Sequence, residues 1–156
     1  MQKITPFLWF HDRAEEAANF YVSIFKNSKV TSTSRYGDAG PGPKGSVMVV
    51  KFQLEGEEFM AINGGPTFTL SPAISFVVNC KTQEEVDEYW EKLSAGGEKV
   101  QCGWLTDKFG LSWQVVPTIL GELMADKDPV KSNRVMQAML KMTKLDIKTL
   151  KQAYDQ

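Results

Sequence analysis

The pattern of this chain occurs twice, and that repetition constrains its fold more than any single residue does. Residues 3–10, KITPFLWF, are aromatic-rich and too short for a helix, so they read as a strand. From Asp12 onward, Ala14, Ala17, Ala18, Tyr21, Ile24 and Phe25 recur at three- and four-residue steps. That spacing predicts an amphipathic helix with one buried stripe and Asp12 as its N-cap. Three extended segments follow, at 29–36, 46–54 and 57–63, with Gly56 marking a tight hairpin between the last two. Then the order restarts. AISFVVN (73–79) reads as a strand, and Thr82 with Glu85 fits the capping box that opens a helix. Val86, Tyr89, Trp90 and Leu93 form the second helix stripe, and Gly96-Gly97 stops it. Extended pieces at 98–102, 103–107 and 111–117 complete the copy. Glu84-Glu85 followed by Tyr89-Trp90 stands 69 residues after Glu15-Glu16 followed by Phe20-Tyr21. Five elements in the same order in each copy predict two tandem βαβββ modules, an α+β fold.

The modules are expected at 1–63 and 72–117, inside one domain covering 1–126, with a helical tail over 127–156. Pro6 cannot donate to a strand ladder, so the first strand is expected at a sheet edge or with its early part outside the sheet. GDAGPGPKG (37–45) is a long Gly/Pro loop with no periodicity, a candidate lid as much as a plain connection. In the tail, Asp128-Pro129 sets an N-cap before a proline at the first helical position, and Val135, Met139 and Met142 line one face. Asp146 caps a last helix carrying Leu150 and Tyr154. This tail reads as a packing or dimer-contact element.

Charge and composition exclude several classes. A formal net charge of -1 argues against a nucleic-acid surface, and no run of 18 apolar residues is present to span a membrane. No signal peptide is seen at the N-terminus. Cys80 and Cys102 lack metal-site spacing and suit a reducing compartment, so the expected location is cytoplasmic.

The strings PFLWF, AEEAANFYVSIF, NGGPTFTLSPAISFVVNC, CGWLTDKFGLSWQVVP and RVMQAMLKMTKLDI resemble the PhnB-like branch of the vicinal oxygen chelate superfamily. That superfamily includes glyoxalase I, bleomycin-resistance proteins and extradiol dioxygenases. The branch is often labelled "3-demethylubiquinone-9 3-methyltransferase domain". The resemblance implies cup-shaped mixed sheets of the glyoxalase type, and a homodimer. In metal-dependent relatives, the first strand of each module supplies a ligand, often histidine, and the last strand another, often glutamate. Carried onto this chain, those positions fall on Pro6, Met60 or Ala61, Ala73 and Gln114. None of these is a ligand for zinc or nickel, so no metal and no cofactor are expected. His11, the single histidine, lies five residues beyond Pro6. In a strand that reverses the face and moves it roughly 16 Å, so His11 reads as an exposed turn residue. The methyltransferase label finds no support either, because Gly64-Gly65 and Gly40-Pro41-Gly42 open no helix after a suitable strand.

The resemblance therefore points to a small-molecule site in the sheet cup with no metal. Strand alternation offers Trp9 (or Phe7), Asn63, Phe76, Trp104 and Gln114 as its lining. The amides of Asn63 and Gln114 would orient a polar ligand, whose identity the sequence does not give. In LSWQVV, Trp113 and Gln114 face opposite ways, and the family position favours Gln114 inward. The alternatives are an enzyme of the glyoxalase or dioxygenase type, with or without a metal, and a dimeric module with no ligand chemistry.

Overall fold

The computed structural model describes residues 2–156 and resolves the chain into two compact units, Met1–Leu70 and Ser71–Gln156. The first unit runs β1 (Phe7–Phe10), α1 (Ala14–Ile24), β2 (Lys29–Arg35), β3 (Val47–Leu54) and β4 (Glu57–Asn63). The second runs β5 (Ser75–Cys80), α2 (Gln83–Ser94), β6 (Glu98–Lys99), β7 (Trp104–Thr106) and β8 (Ser112–Pro117). Its last part is helical: α3 (Thr118–Met124), α4 (Pro129–Leu140) and α5 (Ile147–Asp155). The sheet orders are β1-β4-β3-β2 and β5-β8-β7-β6, so both copies share one topology. In each, the first strand pairs parallel with the last and the other contacts are antiparallel. The two βαβββ modules are thus present as read, with β1 at a sheet edge as Pro6 requires.

In the first unit, Ala14, Ala17, Ala18, Tyr21 and Ile24 of α1 are buried, as are Leu8, Phe10, Val50, Phe52 and Ala61 of the sheet. Removing each larger side chain from water contributes about 1.5–3 kcal/mol. The small alanines let the helix approach the sheet, and Tyr21 reaches Phe52 with ring centroids 6.3 Å apart. The start of α1 differs from the expected cap. Arg13, not Asp12, occupies the N-cap position, and it makes no side-chain capping bond. The missing acceptor comes from β4: Asn63 Oδ1 accepts from Ala14 N at 2.7 Å. Between β3 and β4, Glu55 and Gly56 both take positive φ (50° and 81°), the conformation of a two-residue hairpin turn.

In the second unit, α2 opens as the capping box predicts, with Thr82 accepting from Glu85 N at 3.2 Å. Its face of Val86, Tyr89, Trp90 and Leu93 is buried together with Val78, Cys80, Leu105 and Val115. Of the piece expected at 98–102, only Glu98–Lys99 is strand. The turn after it is held by the tail, since Cys102 N and Gly103 N donate to Met142 O and Thr143 O, both at 2.8 Å. The tail has its own small core of Leu123, Val135 and Leu150, with Met139, Met142 and Tyr154 packed against it. Gln83 at the start of α2 ties it down, donating to Leu145 O (3.1 Å) and accepting from Ile147 N (2.8 Å). Both expected tail caps form, Asp128 on Val130 N and Asp146 on Thr149 N.

Candidate binding faces

Strand register decides which candidate side chains meet. In the second sheet, Phe76, Val78 and Cys80 alternate with Ser75, Val77 and Asn79, and the buried members are Val78 and Cys80. On β8, the buried Trp113, Val115 and Pro117 alternate with the half-buried Gln114 and Val116. The α2 side of this sheet therefore carries Phe76, Trp113 and Leu105, while the opposite side carries Ser75, Val77, Gln114, Trp104 and Thr106. Phe76 pairs in register with Trp113, and their rings lie 5.7 Å apart. So Phe76 does not share a face with Gln114. The Trp113 indole is fixed beneath by the buried Asp107, whose Oδ2 accepts from Trp113 Nε1 at 2.9 Å. The other Asp107 oxygen accepts from Phe109 N and Leu111 N, which shapes the turn into β8.

Trp104 and Gln114 stand directly opposite each other across β7 and β8. Gln114 Nε2 donates to Ser75 Oγ at 3.0 Å. These are the two sequence candidates that the structure brings together. Next to them lies a row of hydroxyls that sequence reading missed: Ser75, Ser112 and Thr106 are partners in register across β5, β8 and β7. Three hydroxyls at the starts or ends of short strands read as ordinary turn chemistry until the register is known.

In the first unit, Trp9 and Asn63 go different ways. Trp9 belongs to the side away from α1, paired with Ile62, and its indole covers Gly64 so closely that a Cβ there would lie 2.4 Å from the ring. Its Nε1 donates to Gly65 O at 2.9 Å, and Phe68 meets it edge-on at 5.0 Å. Asn63 pairs with Phe10 on the helix side. Besides capping α1, it donates from Nδ2 to Val47 O (3.2 Å), and its backbone carbonyl accepts from the Tyr36 hydroxyl at 2.5 Å. Its amide is committed to holding α1 and β3, while its backbone carbonyl holds the loop beyond β2.

That loop is fastened rather than free. Tyr36 N donates to Ser46 O and Gly45 N to Tyr36 O, closing its neck. Gly40 and Gly42 lie against the two edges of the buried Tyr36 ring, each so close that a Cβ would stand 2.4 Å from a ring carbon. An open cleft of about 610 Å³ runs between this loop and the start of α1, with His11, Arg13, Tyr36 and Asn63 among its walls. His11 is exposed there, and Arg13 is held by Glu16 through a 2.7 Å hydrogen bond.

The positions at which metal-dependent relatives place ligands do not fit a metal ion. Pro6, Met60, Ala61 and Ala73 present no ligating group, and Gln114 offers only a neutral amide. Among the described residues, no three His, Cys, Asp or Glu side chains are grouped to hold one. The chain does not fit a nucleotide-type methyl donor of the doubly wound kind either. Both sheets mix parallel and antiparallel pairs, and Gly64-Gly65 lead from β4 into an irregular connector before β5.

Comparison with known proteins identifies the family. A family described as 3-demethylubiquinone-9 3-methyltransferase matches residues 2–116. A putative 3-demethylubiquinone-9 3-methyltransferase from Bacillus cereus, a PhnB protein, is 43% identical; the match covers 75% of this chain and 100% of that one, with a TM-score of 0.69. A Pseudomonas aeruginosa protein at 22% identity shares the fold, with 75% and 98% of the two chains covered and a TM-score of 0.63. So does a fosfomycin resistance protein from Listeria monocytogenes, at 18% identity, 78% and 97% coverage and a TM-score of 0.53. No curated protein matches the chain in sequence. With the fold, the family match and the 43% identical relative in agreement, this chain belongs to the PhnB-like family described as 3-demethylubiquinone-9 3-methyltransferase.

Proposed function

We propose that this protein binds a small molecule without a metal, on the side of its second sheet turned away from α2. The observation that carries this reading is the opposition of Trp104 and Gln114 across β7 and β8, at the strand where metal-binding relatives place a glutamate. An amide there can orient a ligand, and an indole beside it supplies the apolar contact typical of ligand sites. Trp9 contributes a second aromatic surface in the first unit, whereas Asn63 and Phe76 serve as framework. The protein acts as a cytoplasmic homodimer. Exposed Ile4 and Phe7 in the first unit are apolar surface of the kind a dimer covers, and both cysteines are free thiols, which suits a reducing compartment.

The test is a fragment screen on untagged protein by thermal shift and tryptophan fluorescence, alongside metal analysis of the same sample. Saturable binders that lose affinity in Trp104→Ala and Gln114→Ala support the reading. A stoichiometric bound metal would overturn it in favour of an enzyme of the glyoxalase or dioxygenase type. Light scattering at micromolar concentration should give twice the 17.5 kDa chain mass; a monomeric mass refutes the dimer.

A further inference from the structure

We infer that the binding face of the second sheet selects an uncharged ligand group carrying both a hydrogen-bond donor and an acceptor, such as a carboxamide or hydroxyl. The inference rests on the reading of that face as the binding surface and names the ligand chemistry it takes. Two observations carry it.

The first is charge. β5, β7 and β8 together present SFVVNC, WLT and SWQVVP, with no Asp, Glu, Lys, Arg or His among them. The nearest charged side chains in the sheet are Glu98 and Lys99 on the exposed edge strand β6. An ionic ligand over β5, β8 and β7 would meet no counter-charge on those strands, which disfavours it.

The second is an unsatisfied hydroxyl. Ser112 is 1% exposed, and its Oγ has no hydrogen-bond partner, the only such buried side-chain atom among the described residues. A buried polar atom left unpaired costs stability, and a hydrogen-bonding group of a bound molecule would satisfy it. Ser112 sits on the Gln114 side of β8, between Ser75 and Thr106 in the cross-strand row. Gln114 uses one N–H on Ser75 Oγ, which leaves its carbonyl oxygen to accept and the serine hydroxyls to donate. Gln114 and Ser75 sit on neighbouring strands ~4.8 Å apart, which places an acceptor and a donor within reach of a single planar amide. Trp104 and Val77 flank Gln114 in register and give an apolar rest for the remainder of the ligand.

The experiment uses the full ¹⁵N-labelled chain with three benzene-based probes of similar size: benzamide, benzoate and benzylamine. The signals followed are the Trp104 indole N–H and the Gln114 side-chain amide. Benzamide should move both saturably, with the two charged probes at least about fivefold weaker, the loss expected when one hydrogen-bonding group is mismatched. Ser112→Ala should melt higher than the parent, because the orphaned hydroxyl is gone, yet bind benzamide about fivefold more weakly. Ser75→Ala, at a half-buried position, repeats the affinity test without a core substitution. Benzoate or benzylamine binding at these signals as tightly as benzamide overturns the neutral selectivity and leaves the binding face intact. Unchanged benzamide affinity in both serine variants overturns the hydroxyl row. If none of the three probes moves either signal, the selectivity and the binding face both fall.

Discussion

Replacing Asn63 separates a framework role from a ligand role, because each predicts a different loss. Its side chain makes two bonds, Oδ1 from Ala14 N at 2.7 Å and Nδ2 to Val47 O at 3.2 Å. Asn63→Ala removes the cap of α1, worth about 1 kcal/mol. It also removes the bond to Val47, worth about another 1 kcal/mol. The N-cap residue Arg13 supplies no substitute, since its side chain makes no capping bond. For a chain of this size, about 2 kcal/mol lowers the melting temperature by roughly 4–8 °C. Asn63→Asp keeps the acceptor at the positive end of the helix and loses only the donor, so about half that loss is expected. Thermal melts followed by circular dichroism give the shifts, and hydrogen exchange at Ala14 to Ala17 should accelerate in the alanine variant. The reasoning is refuted if Asn63→Ala melts within about 1 °C of the parent, or if Asp and Ala variants lose equally. A stable Asn63→Ala that fails to bind fragments would instead return Asn63 to the ligand site.

The clamp on Tyr36 predicts a sharp contrast within one loop. Gly42→Ala should destabilise the first unit measurably in urea unfolding, because its Cβ would lie 2.4 Å from the ring, while Gly37→Ala, with nothing within 4 Å, should not. Burial pushes the Cys80 thiol up from 9.0 to about 12, so the folded protein keeps this proton when the unfolded chain releases it. Its contribution is fully present below pH 9 and is lost as pH rises towards 12; iodoacetamide should label Cys102 before Cys80, and the reverse order counts against the burial argument. Tyr154 donates to Asp126 at 2.5 Å, which holds the Asp126 carboxyl below its usual 3.8 and the Tyr154 phenol above 10.0. This tie is present between those values; it weakens as pH falls through the lowered carboxyl or rises through the raised phenol, and tyrosinate absorbance should show one delayed titration that Asp126→Asn abolishes. Gln114→Glu should not create a zinc or nickel site, because its partners in register are Val77 and Trp104. Stoichiometric micromolar binding by calorimetry would contradict that.

Much of the fold was legible because its signals are local. The two helix stripes, the Thr82 box, the Asp128 and Asp146 caps and the turn at Gly56 each depend on residues within one turn or hairpin. The failures share a different cause. Asp12 has the right chemistry for an N-cap, but the helix begins one residue later and takes its acceptor from β4, 49 residues away. α3 carries no such local signal. It follows Pro117 without a side-chain cap, and its Leu123 is buried in the tail core with Val135 and Leu150.

The same distinction governs the site. Alternation along one strand says that neighbours face opposite ways, but not which way the set points, and each strand has its own phase. Trp113 and Gln114 could be separated from sequence because they are adjacent. Phe76 and Gln114 could not, because their relation depends on the parallel register between β5 and β8. Once Phe76 is tied to Trp113, every side chain on the three strands is assigned, and the polar ones sort themselves onto one side. Chemistry at the ligand positions was therefore readable as a loss, of histidine and carboxylate. What replaces it, a hydroxyl row beside an amide and an indole, exists only between strands. Ser75, Ser112 and Thr106 are separated by up to 37 residues in the chain and become neighbours only when three strands align. A site built this way would leave no motif, and the unpaired hydroxyl of Ser112 is the physical feature that points to it.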